Sequence, residues 1–197
     1  LSSIPIVRSS LLHTVASVAL LGASAFAQGC PVSIPTLFAA NNGGSSGGSV
    51  YFDVTVASTV TLTGIDVNTT IAVGTPLSLD VYTRTGSYVG FQVSSAGWTL
   101  SASGNGLGTA AGGNIPSHVD FAVPFVLTPG TYGFAIDALN FNHRYTNGTG
   151  TNQNFTDGVL TLALGHAQNV SWSGSGFTPR VANIALYYLS ANALIAN

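Results

Sequence analysis

Apolar and polar residues alternate with a period of two along most of the chain after residue 50. Phe52, Val54 and Val56 share one face, with Tyr51, Asp53 and Thr55 on the other. Leu77, Leu79 and Val81 oppose Asp80, Tyr82 and Arg84 in the same way, and Val119, Phe121 and Val123 oppose His118 and Asp120. Leu160, Leu162 and Leu164 form another inward row, and Ile184, Leu186 and Tyr188 form the last. Val60 and Leu62 share a face, and Gly64 marks a bulge before Ile65 and Val67. Leu127-Thr128-Pro129-Gly130 reads as a turn feeding the strand through Phe134 and Ile136. No stretch after residue 30 carries helical periodicity with caps. The pattern predicts roughly eight to ten strands in an all-β fold, a two-sheet antiparallel β-sandwich of jelly-roll type.

The segment ahead of these rows reads differently. Arg8 precedes a short apolar run through Leu20 and Leu21, and Ala25-Phe26-Ala27 supplies the small residues of a cleavage site before Gln28. Residues 1–27 are therefore expected to be a secretion signal, and the protein extracellular or at the cell surface. The run is too short and too interrupted for a membrane span. Retention of this segment, packed into a neighbouring copy as an added strand, is the alternative. Residues 28–49 read as a flexible leader ending in Gly- and Ser-rich sequence, and residues 50–197 as one sandwich domain. Cys30, the lone cysteine, permits no internal disulfide and reads as a small buried thiol.

Composition narrows the function classes. Only 5% of the 197 residues are charged, with four Arg, six Asp, no Lys and no Glu, where about a quarter is usual. Weak electrostatic repulsion makes self-association easier. The Arg residues form no run, so no nucleic-acid partner is expected. Without Lys there is no Schiff-base chemistry and no P-loop lysine. There is also no Gly-x-Ser-x-Gly elbow and no His-Glu-x-x-His, and the six Asp are scattered, so a non-enzymatic role is expected.

The longest polar connection, residues 146–158, draws attention to its borders. His143, Arg144 and Tyr145 at its start and Asp157 at its end are the residue types that bind sugars, an aromatic face with polar partners. Trp98 and Trp172 are the alternative platforms. Asp137, Asn140, Asn142, Asn154 and Asp157 offer hard oxygen ligands that suit calcium, against the competing reading that they only stabilise turns. No other cofactor is implied. Asp80 and Arg84, flanking Tyr82, are expected to form a surface ion pair.

Several segments recur in a recognisable order: Gly47-Gly48-Ser49-Val50-Tyr51-Phe52-Asp53, Val81-Tyr82-Thr83, Gly86-Ser87-Tyr88-Val89-Gly90, Trp98-Thr99-Leu100, Pro129-Gly130-Thr131-Tyr132-Gly133, Tyr145-Thr146-Asn147-Gly148-Thr149-Gly150 and Phe177-Thr178-Pro179-Arg180. Across roughly residues 28–189 the set resembles a group of secreted β-rich proteins of planctomycete-type bacteria. The resemblance implies location and fold and carries no catalytic residue. Many of that group have Trp after the Pro-Arg pair, where this chain has Ala182.

The leading functional expectation is a self-associating structural protein, a subunit of an extracellular fibre, sheath or surface matrix, whose partners are copies of itself. The runner-up is a carbohydrate-binding or adhesive module with glycan partners, and an extracellular hydrolase comes third.

Overall fold

The structure is a computed structural model and describes residues 30–39, 42–109 and 114–190. The secretion-signal reading of residues 1–27 and the tail after Ser190 lie outside the described residues. Every regular element described is a strand. In chain order these are β1 (Val32–Pro35), β2 (Asn42–Ser46), β3 (Ser49–Val56), β4 (Val60–Asn68) and β5 (Pro76–Thr85). There follow β6 (Thr99–Leu107), β7 (Pro116–Leu127), β8 (Gly130–Ala138) and β9 (Asn142–Asn147). The last are β10 (Asn154–Thr156), β11 (Leu160–Gln168), β12 (Arg180–Ala182) and β13 (Ile184–Ser190). No helix among the described residues is long and apolar enough to cross a membrane.

The fold is all-β and antiparallel. Its hydrogen bonding differs from two separate sheets. Ten strands form one continuous sheet in the order β1-β13-β4-β7-β6-β5-β8-β3-β11-β10. The sheet curls until its two edge strands, β1 and β10, come into contact, so the barrel is nearly closed. Among the described residues, the edge strands of this ten-stranded sheet are short, four and three residues long. The inward rows converge on one core. Phe52 and Phe134 stack at its centre, 5.5 Å between ring centroids, both fully buried. The small sheet β12-β9-β2 lies at the end of the barrel where β8 and β11 finish.

Three local differences from the expected pattern have physical causes. Asn42–Ser46, expected as leader, pairs with β9 as a strand, because main-chain hydrogen bonding needs no apolar side chain. Gly48 follows, and a Cβ there would stand 2.5 Å from the Gln168 carbonyl oxygen, so only glycine permits this approach. Val123, expected inward, is 70% exposed. Between the register pairs Leu62–Phe125 and Gly64–Asp120, four residues of β7 oppose one of β4, so β7 arches outward around Val123 and Pro124. The irregularity at Gly64 is the expected bulge, and it keeps Leu62, Ile65 and Val67 all in the core. Cys30, expected buried, is exposed.

The outward arch makes a direct test of the strand path. Phe121 and Val123 have the same parity on β7, yet only Phe121 is buried. Phe121→Ala is expected to cost about 3–5 kcal/mol, and Val123→Ala less than about 0.5 kcal/mol. Urea unfolding midpoints of the two variants decide it.

Candidate functional site

The outer face of the barrel carries a second apolar cluster, separate from the core. Register lines up its members in a row across four strands. Tyr82 on β5 pairs with Ala135 on β8, Ala135 with Tyr51 on β3, and Tyr51 with His166 on β11. Tyr51 and Ala135 point away from the core, yet they are 1% and 0% exposed. They are covered by the connections between β5 and β6 and between β11 and β12.

Asp53 fastens the first connection. Its carboxylate accepts the Ser87 hydroxyl at 2.7 Å and the Tyr88 N–H at 2.8 Å. Tyr88 then lies over Gly133 and Gly165, and a side chain at either glycine would collide with it. Arg84 donates from Nη1 to the Ser87 carbonyl and lies 3.4 Å above the Phe91 ring. Trp98 Nε1 donates to the Phe91 carbonyl at 2.9 Å. Gln168 joins both coverings, taking the Tyr51 hydroxyl at 2.9 Å and donating to the Gln92 carbonyl at 3.1 Å.

The second connection is held by Ser171, which donates its hydroxyl to Asp137, and by the Trp172 N–H, which reaches the Tyr51 oxygen at 3.2 Å. Trp172 has φ of 61°, the left-handed region that a bulky residue rarely occupies. The ring is thereby turned onto Tyr51, Tyr82 and Trp98, with centroids 5.5, 5.3 and 5.4 Å away. All three contacts are edge-on, the favourable arrangement for ring quadrupoles. Tyr82, Trp98 and Trp172 remain half-buried, so part of each ring faces solvent.

The adjoining row places Asp80 directly opposite Asp137. Asp80 accepts the Ser103 hydroxyl at 2.6 Å. Burial pushes the Asp137 carboxyl above its ordinary range, the Ser171 hydrogen bond opposes that, and the Asp80 charge adds to it. Burial also raises the Tyr82 phenol, with both carboxylates contributing. Asp80 and Arg84 make no ion pair with each other, because four residues of strand separate them by about 13 Å; Ser103 and Ser87 engage them instead.

The residues expected around the long polar connection have other placements. His143 and Tyr145 are buried, 2% exposed each, and Tyr145 joins the barrel core. Arg144 lies on the opposite face of β9, against Gly43. Asp157 lies at the far end of β11, where it accepts the N–H groups of Val159 and Leu160 and the Tyr188 hydroxyl. Burial pushes its carboxyl up, but the hydrogen bonds outweigh burial and leave it below the ordinary value. These four residues are not brought together. Among the calcium candidates, Asn140 accepts the Ser78 N–H and Asn142 accepts the Thr69 hydroxyl. Asp137 holds Ser171, Asn154 is exposed on β10, and Asp157 caps its turn. Among the described residues, no group of three or more His, Cys, Asp or Glu stands where it could hold a metal ion.

Trp98 and Trp172, expected from the sequence as alternative platforms, meet in one cluster, and Tyr51 at its centre is a site residue that the sequence pattern marks only by position. The outward position of Tyr51 on an apolar strand was the available signal. One further titratable cluster lies elsewhere on the barrel. His118 contacts Asp66 through Nδ1 at 2.7 Å and Asp120 through Nε2 at 3.3 Å. Tyr187 donates to the second oxygen of Asp66 at 2.9 Å. Both ring nitrogens of His118 are thus engaged. No protein-family model matches the chain, and no curated protein matches it.

Two outcomes follow from this geometry. Asp53→Ala leaves the Ser87 hydroxyl and Tyr88 N–H without their acceptor, and should cost about 1–3 kcal/mol. Release of this covering should also shift Trp98 emission to the red, read by fluorescence. The second concerns acid. The ring nitrogens of His143 have no hydrogen-bond partner, and burial lowers its pKa from 6.5 to about 4. Between those values only the unfolded chain takes up the proton. Stability should therefore fall as pH drops from 6.5 to 4, by about 3 kcal/mol in all, with no contribution above 6.5. His143→Leu should remove that part of the slope in urea titrations at several pH values.

Proposed function

We propose that this protein is a secreted saccharide-binding or adhesive module, holding its ligand on the Tyr82, Trp98 and Trp172 face. The observation that carries this reading is the packing of three half-exposed rings beside two carboxylates, with Trp98 and Trp172 borne on connections fastened by partly buried hydrogen bonds. The C–H faces of a sugar ring stack on aromatic rings, while its hydroxyls bond to groups such as Asp80, Asp137 and Ser103. Fastening the rings in advance lowers the ordering cost on binding. Catalysis has no part in this reading. Export follows from the signal-like residues 1–27, and the resemblance to secreted planctomycete-type proteins points the same way.

A second reading, self-association into a fibre, sheath or matrix, is favoured by a specific observation. Val89, Val93 and Val170, exposed by 63, 64 and 64%, lie on the same two connections, and Phe91 is 42% exposed beside them. Apolar surface of this kind, with so little charge around it, is buried readily between copies.

Retention on insoluble polysaccharides, together with a glycan array, tests the first reading. Trp172→Ala and Tyr82→Ala should each weaken binding by about thirtyfold or more, as loss of a central aromatic contact does. Wild-type protein that binds no saccharide while forming ordered multimers would replace the first reading by the second. Sedimentation at rising concentration provides that measurement.

A further inference from the structure

A cavity of about 340 Å³ opens at the end of the barrel away from the small sheet. That volume is at the small end of the range for ligand pockets, about 300–1,000 Å³, and barrel mouths are a common place for them. Register puts its walls on the inner side of the sheet. Thr99 pairs with Thr83, and Thr83 with the fully buried Phe134. Thr85 pairs with Tyr132, and Tyr132 with the fully buried Val54. Phe125 and Leu127 stand opposite Leu62 and Val60, both in the core. Strands β7 and β8 are separated in the sheet by β6 and β5, so the Leu127–Gly130 turn crosses the barrel end beside the cavity.

The lining has two chemically different sides. Along β5 and β6 stand the hydroxyls of Thr83, Thr85, Thr99 and Ser101. Those of Thr83 and Ser101 meet at 2.6 Å, and each keeps a lone pair for another donor. Those of Thr85 and Thr99 make no hydrogen bond among the described residues. Along β7 and β8 stand Phe125, Leu127 and the Tyr132 ring. The Tyr132 hydroxyl is already engaged, with the Thr128 carbonyl at 3.1 Å and the Thr128 hydroxyl at 3.2 Å. The side chains of Phe125 and Leu127 offer no polar atom. Of the residues that border the cavity only Arg84 is charged, and its guanidinium lies on the outer face over Phe91, so no charge enters.

We infer that this cavity binds a neutral 6-deoxyhexose at the end of a saccharide chain, with its ring hydroxyls on the Thr and Ser side and its methyl group against Phe125 and Leu127. The ligand class rests on the saccharide-binding reading, and the cavity adds to the aromatic face a separate subsite for the terminal sugar. A ligand for this lining is polar along one edge, apolar along the other and uncharged. A 6-deoxyhexose has that form. The ordinary hexose carries a hydroxyl on the same carbon, and in the same pose that hydroxyl loses water against Phe125 and Leu127 without gaining a partner. Trp98 directly precedes Thr99, so the rim of the cavity adjoins the outer aromatic face and a chain can pass from one to the other.

Calorimetry and saturation-transfer NMR on the full chain test this, with L-fucose and L-rhamnose as probes. L-galactose and L-mannose, which differ from them only by the hydroxyl on C6, are the controls. At least one probe should bind about tenfold or more tightly than its control, with the strongest saturation transfer at its methyl protons. Thr83→Val should weaken that binding about tenfold. Thr99→Val, at an exposed position, should weaken it severalfold and leave the fold intact. Trp172→Ala, on the outer face, should leave it unchanged. Probes that do not bind, that bind no tighter than their controls, or that bind both threonine variants as well as wild type overturn the subsite, whatever the polysaccharide retention. Binding lost in Trp172→Ala places the sugar on the outer face and also overturns it. Probe binding by a wild-type protein that retains no polysaccharide supports the subsite and sinks the aromatic-face reading instead.

Discussion

Tyr51 is the point at which the two outer connections meet the barrel. Its ring touches Tyr88, Trp98, His166 and Trp172, with centroids 5.5–6.5 Å away. Its hydroxyl donates to Gln168 and accepts from the Trp172 N–H. A phenol placed this way satisfies two requirements at once. The ring gives the connections apolar surface to pack on, and the oxygen anchors main chain that would otherwise be buried without partners. The exposed rings of the proposed ligand face all depend on this arrangement.

A chain with so few charges uses them as fasteners. Asp53, Asp137 and Asp157 each accept hydrogen bonds from a connection that crosses to or turns beside their strand. Asp66 holds His118 and Tyr187 together on neighbouring strands. Carboxylates accept more hydrogen bonds than any neutral side chain and form stronger ones, so a single Asp can fix a loop. Arg84 and Arg180 are held differently, each by aromatic rings and one main-chain carbonyl, with no carboxylate ion pair among the described residues.

The inward rows were legible because period-two alternation needs no knowledge of neighbours. Phe52, Leu79, Leu162 and Leu186 sit in the core as their parity requires. Val123 departs from its row because β4 offers one residue against four of β7 there, a mismatch that involves two strands. Asn42–Ser46 gave no apolar signal and still became a strand, because an edge of β9 was available to it. The site was less legible. His143 and Tyr145 carry sugar-binding chemistry by type, but the small sheet turns both inward. Trp98 and Trp172 are 74 positions apart (172 − 98) and meet only because two connections fold over the same four strands.

By itself, the sequence determined the all-β class, the core rows, most turns and the scarcity of charge, since each depends on residue type or local spacing. The tertiary structure alone decided that ten strands form one curled sheet rather than two, because pairing partners are chosen by long-range register. It also decided which outward aromatics are covered, which carboxylates face each other and where the barrel opens. Those outcomes depend on groups far apart in the chain arriving at one place, and no local pattern records that.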